Sequence, residues 1–172
     1  NNIYAEDLAT HNITQLTDDG SKTIINGTFD WVYEEEFRCR DGFRWSPDGD
    51  KIAYWQLDAE GVGEFYMINN TYSLYPKIIP VQYPKAGTTN SACKVGVIPA
   101  AGGNTVWMKV PGDPRNNYIA RMEWAHNSKE LMIQHLNRLQ NKNEVMICDI
   151  KTGEVHTVHV EQDEAWVDVC ND

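Results

Sequence analysis

The sequence predicts an all-β chain: a partial β-propeller of antiparallel four-stranded blades, interrupted by one short helical segment. Three observations lead there. Short apolar-rich runs alternate with turn sequences along most of the 172 residues, the pattern expected of strands. A strand–turn–strand unit recurs at a distance, with Trp45 to Leu57 lining up without gaps on Trp124 to Leu136. The units are too few to close a ring, which needs at least about four blades, so the chain reads as a segment of a longer protein.

Taken in order, Ile3 to Leu8 and Ile13 to Thr17 flank Ala9-Thr10-His11-Asn12 and form one hairpin. Phe43-Arg44-Trp45 runs into Ser46-Pro47-Asp48-Gly49, which has Ser at i, Pro at i+1 and Gly at i+3 of a type I turn. Lys51 to Leu57 then returns as a strand. Glu64 to Asn69, Cys93 to Ile98 and Thr105 to Val110 continue the meander, the last two joined through Ala101-Gly102-Gly103-Asn104. Farther on, Val145 to Ile150 and Val155 to Val160 repeat the layout of the first hairpin. Units of this kind bury both faces only by stacking around an axis. Residues 1–42 are therefore expected to hold the end of one blade plus the helical segment, 43–118 a blade, and 119–172 most of a further one. The first and last strands should present open edges.

Within 70–90 the strand pattern breaks. Pro76, Pro80 and Pro84 recur at every fourth position, and each removes a ladder donor. Two readings stand: an extended edge or loop, and a protruding arm whose tyrosines, Leu74 and Ile78 to Val81 pack on another chain.

Composition narrows the partners. Net charge is -10, with 25 acidic against 15 basic residues, so nucleic acid and anionic membrane surfaces are repelled while a cationic ligand is favoured. The 41% hydrophobic content supports a substantial core and excludes a disordered tail. No run reaches the roughly 20 apolar residues of a spanning helix, and Asn1-Asn2-Ile3-Tyr4 opens a strand-like pattern rather than a signal peptide. Cys39, Cys93, Cys148 and Cys170 are widely scattered without zinc-site spacing, so buried thiols, no metal and no cofactor are expected. The three sequons at Asn12, Asn26 and Asn69 are a short pattern that arises by chance. No Gly-x-Ser-x-Gly elbow occurs, and Ser46 is a turn residue. His156 and His159, three apart on one strand, are expected on opposite faces; His11, His126 and His135 are isolated, and the tryptophans mostly fall at strand positions, where core packing is expected.

The chemistry concentrates in Asp30-Trp31-Val32-Tyr33-Glu34-Glu35-Glu36-Phe37. Asp30 suits the N-cap of one or two helical turns whose positive end favours the acids that follow. A helical frame would pair Glu34 with Arg38 and Glu36 with Arg40, each worth about 0.3 to 0.5 kcal/mol, and would leave Glu35 without a base. The alternative is that two of the carboxylates hold a primary ammonium, which carries three donors and no acceptor. Adjacent helical side chains diverge by about 100°, so Glu35 and Glu36 converge only at an irregular or terminal turn.

That motif, with Phe43-Arg44-Trp45-Ser46-Pro47-Asp48-Gly49, Ile52-Ala53-Tyr54, Tyr75-Pro76-Lys77 and Tyr83-Pro84-Lys85-Ala86-Gly87, resembles the propeller domain of dipeptidyl peptidase IV and its bacterial relatives, prolyl oligopeptidase-type serine peptidases. The resemblance runs through Gln140-Asn141 and Ile147-Cys148-Asp149 and covers essentially the whole chain. It implies a serine exopeptidase that releases dipeptides with proline or alanine in second place, and a double-glutamate clamp for the substrate's α-amine at Glu35 and Glu36. It further implies a Ser-Asp-His triad in a C-terminal α/β-hydrolase domain of which this chain contains nothing, so that the chain alone should be inactive, and an upstream arginine that helps orient the substrate. An extracytoplasmic location, periplasmic or membrane-anchored, and a homodimer through an arm bearing Tyr72, Tyr75 and Tyr83 are implied as well. In vertebrate members a cysteine following the one that matches Cys148 bridges to it, and Gly153 to His159 offers none. Two functional classes follow: the substrate-gating propeller segment of a dipeptidyl peptidase, and a propeller that only mediates binding.

Overall fold

The computed structural model describes residues 1–170; the final two positions of the 119–172 unit lie outside it. The elements are β1 (Tyr4–Glu6), β2 (Ile13–Gln15), β3 (Ile24–Asn26), α1 (Trp31–Glu35), β4 (Phe43–Trp45), β5 (Lys51–Asp58), β6 (Glu64–Asn69), β7 (Lys77–Gln82), β8 (Ala92–Pro99), β9 (Val106–Trp107), β10 (Asn117–Trp124), β11 (Glu130–Asn137), β12 (Lys142–Asp149) and β13 (Val155–Gln162). All pairings are antiparallel. The sheets are the β1–β2 hairpin, the meander β10-β11-β12-β13, a sheet β3-β5-β8-β9 in which β4 also pairs with β5, and the separate β6–β7 hairpin.

The middle sheet is a blade packed on both faces. Ile52, Tyr54 and Ile98 bury one face against Leu16, Ile3 and Ala5 of the first hairpin. Ala53, Trp55, Leu57, Val95 and Val97 bury the other against Ile119, Met122, Leu131, Ile133 and Met146 of the next sheet. This is why β5 is buried at six consecutive positions instead of alternating, as a strand covered on both sides must be. Polar contacts lock the neighbours in equivalent registers. Trp55 Nε1 donates to Ile119 O at 2.9 Å and Trp124 Nε1 to Arg44 O at 3.1 Å, while Asp48 N in one turn donates to Ser128 Oγ in the matching turn at 3.1 Å. The repeated tryptophans thus sit at the ends of equivalent first strands, with their turns side by side. The chain is a partial β-propeller.

Several boundaries differ from expectation. The blade reaches back past Phe43 to Ile24, because β3 and β4 are two halves of one strand: Asn26 pairs with Gln56 and Phe43 with Tyr54. Gly27 N donates to Trp55 O at 3.0 Å, Trp55 N to Gly42 O at 3.0 Å and Gly42 N to Gly27 O at 3.1 Å, so residues 28–41 leave and rejoin the strand at one point. The next blade carries a bulge at the same place, where the register shifts between Ile119 and Arg121 and Ala120 is the extra residue. The excursion that carries the acidic motif stands where its neighbour has a single residue.

The run Thr105 to Val110 contributes only the two residues of β9. Glu64 to Asn69 joins no blade; it pairs with Lys77–Gln82, accommodating Pro80 in a two-stranded hairpin that projects with most of its side chains exposed. His156 and His159 share a face, since Val145 pairs with His159 but Met146 with Thr157, and the bulge at Val158 cancels the alternation that would separate them. Cys93 and Cys148 are buried, which pushes each thiol up to about 12. Val155 faces Cys148 across the β12–β13 pair, occupying a place from which a cysteine would be in reach.

Candidate functional site

Asp30 caps α1 as its sequence requires. Its backbone is extended, its Oδ1 accepts from Tyr33 N at 3.1 Å, and its Oδ2 accepts from Ser91 Oγ at 2.6 Å, which ties the helix start to β8's approach. The buried face is an aromatic ladder at four-residue spacing. Phe29 stacks on Tyr33 at 5.6 Å, Tyr33 meets Phe37 at 5.4 Å, and Phe37 meets Tyr118 at 5.1 Å. Tyr33 is fully buried, which raises its phenol well above the ordinary range, and its hydroxyl accepts from Ile119 N at 3.1 Å. Phe29, Tyr33 and Phe37 form an i, i+4, i+8 stripe running through the acidic motif, a signal that sequence reasoning missed. That stripe is what fixes the helix to the core.

The helix then stops abruptly. Glu36 is its C-cap, and its N–H donates to Val32 O at 2.9 Å. Arg38 takes a left-handed φ of 57°, Cys39 N returns to Tyr33 O at 3.0 Å, and Arg121 Nη1 captures Phe37 O at 2.9 Å. The expected pairs Glu34–Arg38 and Glu36–Arg40 are accordingly not formed, because the four-residue frame ends before either arginine. Arg40 Nη1 instead lies 3.6 Å from Glu34 Oε2. Glu35 and Glu36 are exposed and have no ion-pair partner among the described residues. They occupy the last helical position and the cap, and Glu36 keeps helical dihedrals of φ -77° and ψ -41°, so the two side chains leave the turn in different directions.

Glu36 borders a cleft of about 620 Å³ whose wall includes Trp31, Tyr83, Lys85, Asn90 and Tyr118. Trp31 packs on Tyr83 at 4.4 Å, so the base of the β6–β7 hairpin forms one wall and α1 the other. Burial raises the Tyr118 phenol, the Arg138 guanidinium opposes this, and Glu36 adds to the rise. Tyr72 and Tyr75 lie near the tip of the hairpin and are 85% and 78% exposed, whereas Tyr83 sits at its base, half-buried against Trp31 and Phe65. Tyr83, Asn90 and Tyr118 are among the cleft residues that sequence reasoning did not assign to the site. Among the described residues no group of three or more His, Cys, Asp or Glu side chains gathers as a metal site, and no helix is long and apolar enough to cross a membrane.

A sequence profile of the family described as the dipeptidyl peptidase IV (DPP IV) N-terminal region matches residues 1–172. Inactive dipeptidyl peptidase 10 of Rattus norvegicus is 30% identical over 100% of this chain and 22% of its own length. Dipeptidyl aminopeptidase B of Saccharomyces cerevisiae is 33% identical over 77% of the chain and 17% of its own length. The crystal structure of Porphyromonas gingivalis dipeptidyl peptidase 4 superposes with a TM-score of 0.90 at 32% identity, covering 98% of this chain and 24% of that one. The chain thus spans less than a quarter of the length of each of these three relatives.

Proposed function

The chain belongs to the dipeptidyl peptidase IV N-terminal-region family, and from that premise we propose that it is the part of a serine dipeptidyl peptidase that gates substrate entry and recognises the free N-terminus of a peptide. Glu35 and Glu36 hold the protonated α-amine; Xaa-Pro or Xaa-Ala dipeptides are released by a C-terminal α/β-hydrolase domain of the parent. The observation that carries this reading is the pair of exposed carboxylates with no ionic partner among the described residues, on the terminal turn of a helix whose other face is locked into the core. An ammonium's three N–H groups satisfy two carboxylates by charge-assisted hydrogen bonds. Fixing the amine sets the distance to the second peptide bond, so the scissile bond is chosen by counting from the N-terminus, a positioning role. The parent operates outside the cytoplasm as a homodimer in which Tyr72 and Tyr75 at the arm's tip meet a second protomer.

The test compares a glycyl-prolyl chromogenic substrate with its N-acetylated form in the complete parent. Cleavage of the free amine alone supports the reading, and equal cleavage of both refutes it. A second reading, a propeller that binds without catalysing, is favoured by one observation, the name of the rat relative as an inactive member. Under it the parent binds free-amine peptides and releases no dipeptide.

A further inference from the structure

Apart from the Glu36 cleft, Arg38, Arg40, Arg44 and Arg121 line a second cleft of about 410 Å³, backed by Phe29 and Trp55. Four guanidiniums in one place stand out in a chain of net charge -10. Two are held firmly. Arg44 donates to Asp41 Oδ2 at 2.8 Å and Glu123 Oε1 at 2.7 Å, with its guanidinium 5.7 Å from the Trp55 ring centre. Arg121 is anchored on Phe37 O and Ala120 O. The other two are at the mouth: Arg40 reaches Glu34 only at 3.6 Å, and Arg38 is exposed with no ion pair among the described residues. Counting Asp41, Glu34 and Glu123 against the four arginines leaves the cleft positive.

We propose that this cleft is a carboxylate subsite, reading an acidic side chain on the first residue of the peptide whose amine Glu35 and Glu36 hold; it rests on that amine-clamp reading. Arg38 follows Glu36 by two residues, at most about 7 Å of backbone, yet the two line different clefts. The end of the excursion therefore places the Glu36 carboxylate in one cleft and the Arg38 and Arg40 guanidiniums in the other. The first residue of a peptide carries an ammonium and a side chain on the same Cα. When that side chain is Asp or Glu, the opposite charges diverge from one carbon, complementary to the two sides of this turn. A guanidinium fork matches a carboxylate bidentately, while a Lys or Arg in that place meets like charge and is rejected.

The experiment uses the complete parent and the specificity constants for Glu-Pro-, Ala-Pro- and Lys-Pro-p-nitroanilide. Wild type should favour Glu-Pro over Lys-Pro by about tenfold at low ionic strength, with the ratio shrinking as salt screens the charges. Arg38→Gln should lower the Glu-Pro to Ala-Pro ratio about fivefold, and Arg38→Glu should turn the preference toward Lys-Pro. Ratios that stay at the wild-type value in both variants overturn the subsite. Failure of the clamp reads differently: Glu35→Gln and Glu36→Gln would then leave all three substrates at wild-type rates. If the parent has no turnover, the affinities of Glu-Pro-Ile and Ala-Pro-Ile for it, measured by calorimetry, give the same ratio, and an unchanged ratio in Arg38→Gln is again contradictory.

Discussion

Glu34, Glu35 and Glu36 are identical in chemistry, and what separates them is what the chain sets beside each. Glu34 has Arg40 at 3.6 Å, whereas Glu35 and Glu36 are exposed at the last helical position and the cap. Their placement depends on Tyr33 behind them. Tyr33→Phe removes the oxygen that accepts from the buried Ile119 N–H, and the orphaned donor should cost about 1–3 kcal/mol, seen as a lower midpoint in denaturant unfolding of the chain. His135 supplies a pH dependence. It is buried at Nδ1 3.4 Å from Glu144 Oε2, and burial lowers its pKa below 6.5, a shift that Glu144 partly opposes and Lys142 reinforces. The unfolded chain then binds this proton more readily than the folded one, so stability is present above about pH 6.5 and is lost as pH falls below it. The denaturation midpoint should drop between pH 7 and pH 5.5, and His135→Gln should flatten that drop.

At the scale of elements, the acidic helix is mounted on a strand cut in two. Gly27 and Gly42 meet where the excursion leaves and returns, and a Cβ on Gly42 would lie 2.6 Å from the carbonyl carbon of Gly27. Backbone cannot yield there cheaply, so Gly42→Ala should destabilise the chain by roughly 1–3 kcal/mol, measurable by the same unfolding curves. Most of the strands, though not Ile24–Asn26 or Lys77–Gln82, were legible in the sequence with the Ser46 to Gly49 turn and the Trp45/Trp124 repeat, because alternation and turn chemistry are local. The N-cap at Asp30 was legible for the same reason. The union of β3 with β4 was not, since the halves are separated by the excursion and meet only through β5. The false pairing of Glu36 with Arg40 has a similar origin: the helix ends where Arg121, far along the chain, takes Phe37 O. For His156 and His159, one bulged residue at Val158 reversed the expected faces. Each miss is a long-range contact or a single-residue irregularity overriding a local period.

Across the whole molecule, the first hairpin, a complete blade and a second blade form a stack with the acidic turn on one strand of the middle blade and the arm beside it. The arm's tip exposes Tyr72, Leu74 and Tyr75 at 85%, 91% and 78%, the apolar surface on which the proposed dimer rests. Removing 65–81 from the complete parent, while keeping Tyr83 against Trp31, should convert a dimer to a monomer in light scattering; an unchanged mass excludes the arm from the interface. The isolated chain, for which only the proposed amine-holding carboxylates and no nucleophile are assigned, should show no turnover of a glycyl-prolyl chromogenic substrate after rigorous purification.

In the proposed clamp, Glu35 and Glu36 together grip the substrate's ammonium while Glu34 serves only its neighbourhood. The most direct measurement is the specificity constant, kcat/KM, of Glu35→Gln and Glu36→Gln in the complete parent, with Glu34→Gln as the control on the same turn. Losing one charge-assisted hydrogen bond to a desolvated ammonium costs roughly 1.5 to 3 kcal/mol, so each of the first two variants should fall by about tenfold or more. Glu34→Gln should stay within about fivefold, the upper worth of an exposed pair. Wild-type specificity constants for both Glu35→Gln and Glu36→Gln would contradict the claim and leave the three acids a solvated turn.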